Sequence, residues 1–160
     1  MKRVMVMLMA VFLCSISAWC QSSMIVTLGT EVIENKSFDL AEESFRQNRM
    51  PLDVMPSGKY GYISERPLLM AVVDVTSTNT VKEVDFLCGA AMWYGIDDTL
   101  ESKGYTLTKT GNATLGNGDV VPQKTYTKGT IICLVQTIDR DVKQVIFKRQ
   151  AAKSKTKRKK

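Results

Sequence analysis

The chain opens with an apolar run over residues 4–16, preceded by Lys2 and Arg3 and followed by Ser17, Ala18 and Cys20 around Trp19. A short positive start, a brief apolar run and a small-residue end are the order of a secretory signal peptide. The run is too short to span a bilayer. The pattern predicts a signal peptide over residues 1–20, with cleavage after Cys20 or after Ala18, and export to the periplasm or beyond.

Beyond that run the apolar pattern alternates between two periods. Phe38, Ala41 and Phe45 recur at i, i+3 and i+7, and so do Trp93, Ile96 and Leu100. Each set predicts an apolar stripe on a short helix. Ser37 is placed to cap the first helix, with Asp39 favourable near its positive end. Lys103 followed by Gly104 closes the second, the glycine supplying the left-handed residue. β-Branched runs flank short polar connections at residues 70–87 and 131–148, and each reads as a β-hairpin. Residues 25–28 read as a leading strand ahead of the first helix. The prolines at 51, 56 and 67 predict irregular or edge structure over residues 50–62.

The two hairpins echo one another. Val81-Lys82-Glu83-Val84-Asp85-Phe86 returns as Val142-Lys143-Gln144-Val145-Ile146-Phe147. The helix stripes return at an offset of 55 residues and the hairpins at 61, so six extra residues fall between Thr108 and Gly129. The loop from Gly111 to Asp119 is the natural place for them. The expected fold is therefore α+β: one antiparallel sheet with two helices packed on one face, built from a tandem helix–strand–hairpin repeat. The expected division is residues 21–80 for the first repeat, 81–149 for the second and 150–160 for a basic disordered tail.

A helix ending in Gly104-Tyr105, combined with a final Val-x-x-Val-x-Phe strand at Val142 to Phe147, resembles small uncharacterised exported α+β proteins of bacteria. The tandem form is similar in outline to β-lactamase inhibitory protein. These are packing motifs, and the resemblance implies a fold and transfers no functional residues.

Charge divides the chain. Residues 21–147 hold 12 Lys and Arg against 16 Asp and Glu, whereas residues 148–160 hold 8 Lys and Arg and no acid. The body is thus mildly acidic, which argues against specific nucleic-acid binding, and the basic character belongs to the end. Lys153, Lys155, Lys157, Arg158, Lys159 and Lys160 carry no aromatic residue among them to stack a base. They suit an anionic surface or polysaccharide, or serve as a solubilising tail.

The chain has no histidine. That excludes Ser-His-Asp and Cys-His nucleophilic sites and disfavours catalytic zinc. Asp97, Asp98 and Glu101 cluster in sequence, but neighbouring helical positions diverge, and they read as a solvated face. The glycines at 116 and 118 lie between strands and make a poor phosphate cradle. Cys88 and Cys133 remain after cleavage, either as a disulfide favoured by an oxidising compartment or as two buried inert thiols. No catalytic, metal or cofactor-binding residue stands out. The expected function is an exported, non-enzymatic binding or inhibitor-like module. Its partner would be an envelope or extracellular protein, met by the open sheet face or the loop ends, with no transmembrane segment in the mature chain. The rivals are a structural envelope protein held by its tail and a carboxylate-based hydrolase.

Overall fold

The computed structural model describes residues 21–150. The expected signal peptide over residues 1–20 and the basic residues from Lys153 onward lie outside that range. Residues 21–35 are helical (α1). They are followed by α2 (Phe38–Gln47), β1 (Asp53–Val54), β2 (Tyr60–Glu65), β3 (Leu68–Val75), β4 (Val81–Gly89), α3 (Ala90–Trp93), α4 (Ile96–Ser102), β5 (Thr106–Thr114), β6 (Val120–Lys128), β7 (Ile131–Asp139) and β8 (Val142–Arg149). The eight strands form one antiparallel sheet in the order β1-β2-β3-β4-β8-β7-β6-β5, open at both edges. The fold is α+β, with the helices over one face.

The expected leading strand over residues 25–28 is instead part of α1. Its β-branched residues suggest a strand, but the buried positions Ser22, Ile25, Val26, Gly29, Val32 and Ile33 follow the helical period. Tertiary burial outweighs the weak local propensity. The α1 stripe lies on the sheet so closely that a Cβ on Gly29 would stand 2.3 Å from the Phe147 ring. Arg149 of β8 donates to the carbonyl of Ile33, tying down the far end of α1.

Helix α2 carries its stripe as expected, with Phe38, Ala41 and Phe45 buried. Ser37 occupies the cap position without a side-chain capping bond. The β3–β4 turn supplies the cap: Phe38 N–H donates to the carbonyl of Asn79 at 3.0 Å, and the Asn79 amide donates to Asp39. The second expected helix is broken in two. Gly95 takes φ +72°, so Trp93 ends a single turn and Ile96 begins the next helix. Gly104, at φ +84°, ends α4 as its position implied. The extra residues of the second half lengthen β5 and β6 rather than making a long loop. Gly111 to Thr114 are strand, and the tip is confined to residues 115–119.

Both hairpins form. Ala71 pairs with Phe86 and Val73 with Val84 in the first; Cys133 pairs with Phe147 and Val135 with Val145 in the second. The echoed strands β4 and β8 are the central pair of the sheet, with Val84 opposite Phe147 and Phe86 opposite Val145. Their inward side chains make the core under the helices. Phe45, Phe86, Phe147 and Tyr105 follow in a chain of ring contacts, each with centroids 6.2 Å apart.

Candidate functional site

Paired residues on neighbouring antiparallel strands share a face. The face opposite the core can therefore be read from the register. One row across it runs Ile63, Met70, Leu87, Gln144, Gln136, Gln123, from β2 through β3, β4, β8 and β7 to β6. The adjacent row runs Gly61, Val72, Asp85, Ile146, Leu134, Thr125 over the same strands. No helix among the described residues packs on these rows. Gly61 has no side chain to fill its place, and Met55 folds over it. A Cβ there would meet the Met55 sulfur at 2.3 Å. Beside Met55 a cleft of about 450 Å³ opens, lined by Pro51, Val54, Pro56 and Ile63 among others. Ile63 is 62% exposed and Val54 70%.

Asp85 sits near the middle of this face. Val72 and Ile146 are its cross-strand neighbours, and Leu87 lies two residues along. The Gln144 amide donates to its Oδ2 at 2.6 Å, while Oδ1 is buried with no hydrogen-bond partner among the described residues. Burial pushes the carboxyl up to about 6. The Gln144 bond and distant Lys59 pull it down, and Glu83 adds to the rise. The glutamines form a second polar element: Gln136 is buried and its amide donates to Gln123 at 2.8 Å. The face is thus an apolar band interrupted by a few oriented amides and one carboxylate. Such a band offers shape and a few oriented hydrogen-bonding groups. Nothing along it pairs a nucleophile with a base.

Around α4 the acidic residues part company. Asp97 is not on a solvated face as the sequence suggested. Lys124 donates to its Oδ2 at 2.6 Å and the Tyr126 hydroxyl to its Oδ1 at 2.7 Å. Burial alone would raise the Asp97 carboxyl, but these two bonds outweigh it and hold the carboxyl below its usual range. Among the described residues no three Asp, Glu or Cys side chains converge as a metal-ligating group.

Cys88 and Cys133 are free thiols, both buried under the helices. Of the two expected alternatives, the register removes the disulfide and leaves the buried thiols. Cys133 lies level with Phe147 and so with Val84, while Cys88 is four residues further along β4, and β8 runs between. Strand spacing and rise put them about 16 Å apart, beyond disulfide reach. Burial pushes the Cys88 thiol up to about 12 and Cys133 well above its ordinary value, so neither is an activated nucleophile.

The sequence pointed to the open sheet face or the loop ends as the place to meet a partner, but named none of the residues of that face. The signal was present: residues 69–73 and 131–135 are apolar at every position, where a half-solvated strand alternates. Comparison with protein-family models, with curated proteins and with solved structures gave no match to this chain.

Proposed function

We propose that this protein is an exported, non-enzymatic binding module whose helix-free sheet face holds a partner protein of the envelope or extracellular space. The observation that carries the reading is the composition of that face. An antiparallel sheet covered on one side ordinarily turns polar residues to the other. Here Ile63, Met70, Val72, Leu87, Ile146 and Leu134 form an apolar band over five strands, broken by Asp85 between Val72 and Ile146, a feature of interaction surfaces. The partner is a protein rather than a lipid surface because amides and a carboxylate interrupt the band. Those groups call for donors and acceptors in register, which a protein supplies and acyl chains do not. The β2 end, with its cleft and the exposed Ile63 and Val54, suits an inserted apolar side chain.

Export rests on the leader-like residues 1–20, and the attraction of the basic residues 153–160 for anionic surfaces would add to retention in an envelope. No helix among the described residues is long and apolar enough to cross a membrane. The echoed sequences and the reciprocal pairing of β4 with β8 support descent of the two halves from one duplicated unit.

Replacing Leu87 and Ile146 together by Lys puts two charges on the free face and none in the core. The variant is expected to keep its circular dichroism spectrum and to bind the protein that co-purifies with the wild-type chain at least a hundredfold more weakly, about 3 kcal/mol over two residues. Binding at wild-type affinity would contradict the reading. So would a partner that proves to be only a second copy of the chain, detected by sedimentation of the purified protein.

A further inference from the structure

A separate feature lies on the helix side, at the end of the sheet away from the cleft. Strands β5, β6, β7 and β8 there border a half-open cavity of about 90 Å³ lined by Thr110, Lys124, Val135, Thr137 and Lys143 among others. Lys124 and Lys143 reach it from strands separated by β7. Their charges are not equally satisfied. Lys124 is paired with Asp97, and the second oxygen of Asp97 is held by Tyr126. Each Asp97 oxygen already accepts one of these bonds, and neither accepts one from Lys143. None of the ion pairs among the described residues includes Lys143. Its ammonium instead lies 4.1 Å from the centroid of the Trp93 ring, a contact that fixes its position without neutralising it. The ring is itself anchored, since Trp93 Nε1–H donates to the carbonyl of Asp141 at 3.2 Å. The Thr110 and Thr137 hydroxyls have no hydrogen-bond partner among the described residues.

We propose that this cavity is a binding site for a small oxyanion, held by the ammonium groups of Lys143 and Lys124 and the hydroxyls of Thr137 and Thr110. The charge count favours it: two cations and one carboxylate leave one positive charge unanswered in a partly desolvated place. Burial and the nearby Lys124 lower the Lys143 pKa, with Asp97 pulling the other way. An anion in the cavity would offset the repulsion between the lysines, and its oxygens would accept hydrogen bonds from the two hydroxyls. The shared chemistry is that of carboxylate, sulfate and phosphate. A volume of this size admits one such group and little more, so the ligand is either a free ion or the end of a side chain. The site lies on the opposite side of the sheet from the proposed protein-binding face and stands or falls independently of it.

The test uses the full mature chain with 13C-labelled lysine and threonine, titrated separately with acetate, sulfate and phosphate against chloride at matched ionic strength. Lys143, whose ammonium lies 4.1 Å from the Trp93 ring centroid, gives a ring-shifted signal distinct from those of the basic tail. The expected result is a saturable shift of Lys143 and Thr137 with at least one oxyanion. Its midpoint should be at least tenfold lower than that of exposed Lys82 or of chloride. A lower midpoint for acetate would assign the site to carboxylates, and a lower one for sulfate or phosphate to tetrahedral ions. Lys143→Gln should abolish the response at Thr137, and Thr137→Val should raise the midpoint at Lys143 several-fold while leaving the Trp93 ring shift in place. Shifts at Lys143 no larger than those at Lys82, or a Thr137 response unchanged by Lys143→Gln, would overturn the proposal.

Discussion

Phe147→Ala is expected to destabilise the protein by about 3–5 kcal/mol, the cost of emptying a fully buried aromatic site. The ring is 0% exposed and packs edge-on against both Phe86 and Tyr105. It also receives the backbone of α1 at Gly29. That contact makes a second substitution informative. Alanine in place of glycine inside a helix ordinarily gains about 1 kcal/mol. Gly29→Ala should instead lose about 1–3 kcal/mol, because the added methyl overlaps the Phe147 ring and the helix must lift from the sheet. In the Phe147→Ala background the same change should be neutral or favourable. Chemical denaturation of the four proteins of this cycle measures the coupling directly. Additive losses would place α1 away from β8.

The cycle also bears on what a reader of the sequence can recover. Helix α2, the two hairpins and the Gly104 stop are visible because one local signal dominates each: a stripe, an alternation, a left-handed residue. Helix α1 is not visible. Its Ile25, Val26, Val32 and Ile33 prefer strands, and only the neighbouring sheet makes the helix the better burial. The break at Gly95 is hidden for a related reason. Trp93, Ile96 and Leu100 keep helical spacing across it, and a lone glycine within such a stripe is often tolerated. The open face was legible in part, as apolar runs with no polar alternate. Which of those positions share a face with Asp85 depends on register across β4 and β8, and no local pattern encodes that. Asp97 was misjudged because its partners, Lys124 and Tyr126, are 27 and 29 residues away.

Asp85 gives the second large effect. Its carboxyl is pushed up from 3.8 to about 6 in the folded protein. Between those values the folded state holds a proton that the unfolded state has released. Stability from this group is therefore full below about pH 4 and lost as pH rises through about 6. The loss amounts to roughly 3 kcal/mol by pH 7. Groups such as Asp97, held below their usual range, act in the opposite direction, so the raw profile of the wild-type protein mixes both. Asp85→Asn isolates the term, since the other groups cancel in the difference. Relative to wild type, Asp85→Asn should gain about 3 kcal/mol of stability between pH 4 and pH 7, whatever its fixed offset. Urea denaturation at several pH values checks this, and a difference that does not change with pH would show that Asp85 titrates as an exposed carboxylate.

The central claim is that the helix-free face of the sheet is where this protein meets another. A photo-crosslinking residue placed at Leu134, in the middle of that face, tests it in the compartment where the protein acts. The same residue at Leu40, exposed on α2, serves as the control. The account predicts a discrete adduct with one other protein from position 134, absent from position 40 and lost when Leu87 and Ile146 are replaced by Lys. Equal adducts from both positions, or adducts from Leu40 alone, would contradict it.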